Sequence, residues 1–130
     1  MKKVLIISSK YYSDISDTLY KSAFECLKDF NVEKIEAPGI FEIPVIISKY
    51  IKNYDAFIAL GCVIKGETPH FELISTSVIN GLTKLSIESQ KPIGNGILTC
   101  LNKEQAMKRA NKGVEAAEAV IQVLNNVPSK

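Results

Sequence analysis

The sequence has no tryptophan, one histidine and three cysteines, and each shortage removes a class of function. Cys26, Cys62 and Cys100 stand far apart, form no Cys-x-x-Cys pair and are odd in number. Neither a disulfide framework nor a thiol redox motif is therefore expected. His70 has no cysteine or second histidine at a ligand spacing, so no metal site is expected. Long apolar runs are missing as well. After Met1-Lys2-Lys3 only Val4 to Ser8 are apolar or small, too short for the hydrophobic region of a signal peptide and far too short for a membrane span. The expectation is a reduced, cytoplasmic protein with no membrane partner, whose cysteines behave as small core residues. A basic excess is lacking too. The net charge is +2, and the doublets Lys2-Lys3 and Lys108-Arg109 are too short to make a stripe, so no nucleic-acid partner is expected.

What is present fits one globular unit. A chain of 130 residues with 46% apolar and 23% charged residues has the length and composition of a single domain, residues 1–130, around one real core.

Short apolar runs alternate with longer helical periods. Val4-Leu5-Ile6-Ile7 reads as a buried strand. Ile15, Leu19, Ala23, Leu27 and Phe30 then recur near every fourth residue, an amphipathic helix that Ser13 can cap, with Asp14 and Asp17 near its positive end. Val32 to Ala37 is a second strand, closed by Pro38-Gly39. Phe41 to Lys52 is a second helix, with Pro44 tolerable only in its first turn. Ala56 to Ile64 is the longest strand candidate, and Pro69 to Glu88 a helix with Phe71, Ile74, Val78, Leu82 and Leu85 on one face. Lys91-Pro92 breaks the chain before a fourth strand, Ile93 to Cys100. Lys103 to Leu124 is helical, with a kink expected at Asn111-Lys112-Gly113. Apolar strands alternating with helices imply a parallel sheet covered on both faces. Right-handed crossovers make it a three-layer αβα sandwich with a four-stranded parallel sheet, doubly wound and flavodoxin-like. In such sheets a ligand lies beyond the carboxyl ends of the strands.

Four segments fall there. After the third strand, Thr68 can cap a helix with Pro69 at its first position, which sets His70 in the first turn. The free N–H groups of that helix start suit a phosphate, and Gly66 allows close approach of the backbone. The same helix end favours a neutral imidazole able to take a proton. The plainer reading is a good helix start with a solvated histidine. After the second strand, Phe41 can stack on a flat ring and Glu42 can bind hydroxyl groups; equally they are a core aromatic and a capping carboxylate. After the first strand, Ser8 to Ser13 holds Tyr11 and Tyr12, either a stacking platform or ordinary half-buried tyrosines. It lacks the glycine and threonine of a flavodoxin phosphate loop and the acidic pair of a receiver domain. After the fourth strand, Arg109 and Lys112 can complete an anion site or lie on a solvated face.

Ala37 to Pro44 (APGIFEIP) and Gly61 to Ser75 (GCVIKGETPHFELIS) closely resemble two signature segments of the lumazine synthase family. Pro92 to Cys100 (PIGNGILTC), with Glu104 to Ala110 and Asn111-Lys112-Gly113, extends the resemblance over nearly the whole chain. It implies condensation of 5-amino-6-(D-ribitylamino)uracil with 3,4-dihydroxy-2-butanone 4-phosphate, releasing phosphate and water, in the penultimate step of riboflavin biosynthesis. It implies Tyr11 as the stacking aromatic, and Gly39, Ile40, Phe41 and Glu42 as the segment that binds the uracil edge and ribityl chain. Cys62, Val63 and Ile64 match a substrate-contacting backbone, Gly66, Glu67 and Thr68 a phosphate loop, and His70 the proton-transfer histidine. Asn95, Arg109 and Lys112 match positions that a neighbouring subunit contributes. The resemblance further implies no cofactor, small-molecule substrates, and self-association as a homopentamer or a larger shell. Three features depart from the family: Lys65 stands where arginine is common, Asn95 where some members carry phenylalanine, and the glycine-rich stretch before Asn111 is shortened. Two competitors share the fold class, a flavin- or pterin-binding module without catalysis and a flavodoxin-like electron carrier. The first needs neither His70 nor a phosphate grip, and the second is disfavoured by the first loop.

Overall fold

The computed structural model describes residues 1–129. Four strands, β1 (Lys3–Ser9), β2 (Asn31–Ala37), β3 (Ala56–Ile64) and β4 (Ile93–Cys100), form one sheet in the order β2-β1-β3-β4, with every pair parallel. Between and after them come α1 (Ser13–Glu25), α2 (Ile43–Tyr50), α3 (His70–Ser89), α4 (Lys103–Lys108) and α5 (Lys112–Asn125). The three-layer, doubly wound expectation holds.

Side-chain alternation along the central strands explains the layers. In β1, Val4 and Ile6 face α1 and α5, packing with Leu19, Ala117 and Val120, while Leu5 and Ile7 face α2 and α3, packing with Ile43, Ile47 and Val78. In β3, Ile58 and Leu60 join the first cluster, and Phe57 and Ala59 the second. Burial on both faces is why these strands read as unbroken apolar runs. Each fully buried Leu, Ile or Phe adds about 1.5–3 kcal/mol over leaving it in water. The outer strand β2 instead exposes Glu33, Lys34 and Glu36, charges that guard an open edge against pairing with another chain. At the other edge Asn95 Oδ1 accepts the Ile97 N–H at 3.1 Å, which occupies an edge donor.

Several local expectations change. Ser13 does not cap α1. The N-cap is Tyr12, in left-handed backbone, and its carbonyl accepts the N–H groups of Ile15 and Ser16 at 2.9 and 3.0 Å. Asp14 lies in the first turn and Asp17 beyond it; Asp14 is held by Lys103 at 3.3 Å, and this contact keeps its carboxyl below the ordinary range. The helix stops at Glu25, so Leu27 and Phe30 reach the core from turns. Residues Ile40–Glu42 form a 3-10 turn before α2, which puts Pro44 in the first turn of that helix. Thr68 does not cap α3; the cap position is Pro69 and no side chain fills it. The expected kink near Asn111 is a full break between α4 and α5. Cys62 and Cys100 are buried core residues, but Cys26 is only half-buried.

Candidate active site

The path of the chain over the sheet reverses between β1 and β3, because β2 lies on one side of β1 and β3 on the other. At such a reversal the loops at the carboxyl ends diverge and leave a crevice. A cleft of about 500 Å³ opens there, lined by Ser9, Tyr11 and Tyr12 after β1, Gly39 to Glu42 after β2, Cys62 to Ile64 of β3, and His70 and Ile74 of α3. A second cleft, about 380 Å³, lies at the other end of the sheet beside Pro92 and Ile93, where strands begin.

The walls are set by backbone ties. Lys10 N–H donates to the Ala37 carbonyl at 3.0 Å, which joins the loops after β1 and β2. Ser9 Oγ accepts the Tyr11 N–H at 3.3 Å, and Ser16 Oγ donates to the Tyr11 carbonyl at 3.2 Å. Tyr11 is thus fixed through its backbone while the residue stays 66% exposed. That ring lies beside Gly39, where a Cβ would come within 3.3 Å of both the ring and Glu42 Oε1. Aromatic face, bare backbone and carboxylate share one patch. Gly61 has a related role in the floor. A Cβ there would sit 2.7 Å from Ile40 Cγ2 and 3.0 Å from Ser9 Cβ, so only glycine lets the two loops close over β3.

On the far wall His70 is the first residue of α3, exposed, with Ile74 one turn further on the same face. The N–H groups at that helix start have no side-chain cap, which leaves them free for an anion. Gly66, Glu67 and Thr68 are exposed and bridge Ile64 to His70 without lining the cleft themselves. Lys65 pairs with Glu72 at 3.8 Å beside them. Burial, with smaller contributions from Cys100 and Asp14, pushes the Cys62 thiol up to about 11. The group therefore stays protonated at neutral pH and is no nucleophile; it serves as a small wall residue.

Asn95, Arg109 and Lys112 do not line this cleft. Asn95 sits beside Ile79, Leu82 and Thr83 at the β4 edge, Arg109 ends α4, and Lys112 begins α5. Ser9 and Ile74 line the cleft although neither was singled out from sequence. Ile74 stands four residues after His70, a helical spacing that could have found it. Among the described residues no group of His, Cys, Asp and Glu could hold a metal ion.

Fold and cleft define the class first: a doubly wound α/β protein with a ligand-sized crevice at the switch point of its sheet. The sequence matches the 6,7-dimethyl-8-ribityllumazine synthase family over residues 1–127. It is 41% identical to the 6,7-dimethyl-8-ribityllumazine synthase of Corynebacterium kroppenstedtii, over 98% of this chain and 86% of that one. The enzymes of the same name from Bartonella tribocorum and Mycobacterium avium are 43% and 38% identical, over 91% and 89% of this chain and 85% and 79% of their own. The chain belongs to the 6,7-dimethyl-8-ribityllumazine synthase family, transferases of riboflavin biosynthesis.

Proposed function

We propose that the cleft at the switch point is where this chain binds and joins its two substrates, acting as a single lumazine synthase domain. The observation that carries this is the convergence of Tyr11, Gly39 to Glu42, Cys62 to Ile64 and His70, from three strand ends, on one crevice. Tyr11 and Phe41 supply aromatic faces for the pyrimidine, and Glu42 supplies acceptors for the ribityl hydroxyls. The backbone of Cys62, Val63 and Ile64 offers polar edges, and the loop of Gly66, Glu67 and Thr68 with the uncapped start of α3 offers N–H donors to phosphate.

The chemistry asks for orientation and proton movement. The 5-amino group adds to the ketone and loses water to give an imine. Phosphate is eliminated, the resulting enol tautomerises to a ketone, and the ribitylamino nitrogen closes the second ring with loss of a second water. Every step moves protons and none changes oxidation state, so one imidazole at the rim, His70, meets the need. Amine and ketone are already reactive, and holding them together supplies most of the acceleration. His70→Ala should therefore lower kcat by less than the roughly 10²–10⁴-fold typical of a general acid–base residue. An unchanged kcat would remove His70 from the mechanism.

We read the working form as a homopentamer, or a larger shell built from it, in the cytoplasm. Three unpaired thiols suit a reducing compartment. Exposed Phe41 and Val45 flank an apolar groove of about 350 Å³ between α2 and α3 beside the cleft, which suits contact with a second copy. Asn95, Arg109 and Lys112 would reach a neighbour's cleft in such an assembly. The direct test is to mix the purified protein with both substrates and follow the fluorescent lumazine. Product should require both substrates and appear with one inorganic phosphate each. No product from folded protein would refute the assignment.

A further inference from the structure

Only two non-glycine residues among those described have positive φ, Tyr12 and Gln90. Gln90 ends α3, where left-handed backbone is a common way to stop a helix. Tyr12 is different. It occupies the N-cap of α1 with φ 53 and ψ 58. Extended backbone and a short polar side chain are the rule at that position. A Cβ in left-handed backbone crowds its own carbonyl, and asparagine and glycine tolerate the conformation better than tyrosine does.

No hydrogen bond or aromatic pairing of the side chain within the described residues accounts for this. Tyr20 stacks on Phe24 at 5.7 Å between ring centroids, and Tyr54 donates its hydroxyl to Glu33 at 2.8 Å. Tyr12 has neither kind of partner among the described residues: its hydroxyl makes no hydrogen bond and its ring meets no aromatic. Only its backbone carbonyl has a structural task, capping α1, and that task does not depend on the side chain. The residue is 39% exposed and lines the cleft directly after Tyr11. Strain kept at the mouth of the cleft, by a side chain with no hydrogen bond or aromatic partner among the described residues, points to a contact made with the ligand.

We propose that Tyr12 is a second aromatic wall for the flat pyrimidine substrate, a specificity-determining residue held by left-handed backbone at the mouth of the cleft. This rests on the reading of the cleft as the substrate site. The wall is a ring contact, so the phenol hydroxyl is not required.

The test uses the full-length enzyme and three variants. Tyr12→Asn relaxes the backbone and removes the ring. Its urea midpoint should rise while the KM for the pyrimidine increases about tenfold, the loss expected for one ring-on-base contact. The KM for the ketose phosphate and kcat should stay near wild type. Tyr12→Phe keeps the ring and the backbone strain, and should match wild type in both stability and KM. Tyr11→Ala is the control for the site itself and should raise the pyrimidine KM. If Tyr11→Ala raises it and Tyr12→Asn does not, the proposal is wrong and the site reading stands. If Tyr11→Ala has no effect, the site reading fails and the proposal with it. A Tyr12→Asn protein no more stable than wild type would overturn the strain argument, and a Tyr12→Phe protein as impaired as Tyr12→Asn would overturn the ring contact.

Discussion

Two defective chains should restore one another when assembled together. The first carries Tyr11→Ala and Glu42→Ala, which strip the stacking face and the ribityl acceptor from the cleft. The second carries Arg109→Ala. Alone, the first should lose roughly 10²–10⁴-fold in kcat/KM, from one aromatic contact and one charge-assisted hydrogen bond. The second should lose about 10- to 10²-fold, the range for one charged hydrogen bond to phosphate. The physical reason lies in where these groups sit. Tyr11 and Glu42 share a patch beside Gly39, whereas Arg109 ends α4 and lines no part of that cleft. If the phosphate-gripping arginine of each site comes from a second copy, mixed assemblies contain some sites with a sound cleft and a sound arginine. Co-expressed or co-refolded chains should then exceed the mean activity of the two separate preparations, and a monomer isolated by sedimentation should be inactive. A mixture that only averages the two, or a fully active monomer, would show that one chain completes its own site.

Gly113→Val should cost about 3 kcal/mol of stability or more, read as a lower urea midpoint at unchanged slope. The residue is buried in the second position of α5, where that helix meets α1. A Cβ placed there would lie 2.5 Å from Ser22 Oγ and closer still to the Leu19 carbonyl oxygen. The backbone oxygen cannot rotate away, so the helices must separate, and both belong to the layer that packs Leu19, Ala117 and Val120 against β1 and β3. Gly66→Ala is the contrasting case. A Cβ there meets nothing within 4 Å and φ is not positive, so stability should hold or rise by about 0.4–1 kcal/mol through the unfolded chain. Equal effects of the two substitutions would contradict the packing argument.

The layers were legible because burial on both sides leaves a strong trace. Val4 to Ile7 and Ala56 to Ile64 are apolar without interruption, since one side chain in two faces each helical layer. The fourth strand is bounded by Pro92 and the helix start after Cys100, and its expected limits match the structure. Helix starts were less legible. Ser13 and Thr68 both satisfy the composition rule for a cap, yet neither caps its helix. The tie from Lys10 to Ala37 is a tertiary fact, and the left-handed turn at Tyr12 is a conformation that tyrosine does not announce. The break between α4 and α5 is followed at once by the close approach of Gly113 to Leu19 of α1, a contact that local composition does not announce.

The cleft itself was largely readable from one rule, that ligands lie beyond the carboxyl ends of parallel strands. That rule alone gathers Tyr11, Phe41, Glu42 and His70, and all four line the cleft. Ser9 and Ile74 escaped because an apolar helix residue and a buried serine look like ordinary packing. Asn95 rests on resemblance to a family alone, Arg109 and Lys112 also on their place after the fourth strand, and no fact within one chain brings the three to the cleft.

The location of the substrate is the central claim, and a crystal structure of the protein with the ribitylamino-pyrimidine bound tests it most directly. The pyrimidine should lie in the cleft against Tyr11, with its ribityl chain toward Glu42 and His70 at its edge. A pyrimidine bound elsewhere, such as in the cleft beside Pro92 and Ile93, would contradict the account.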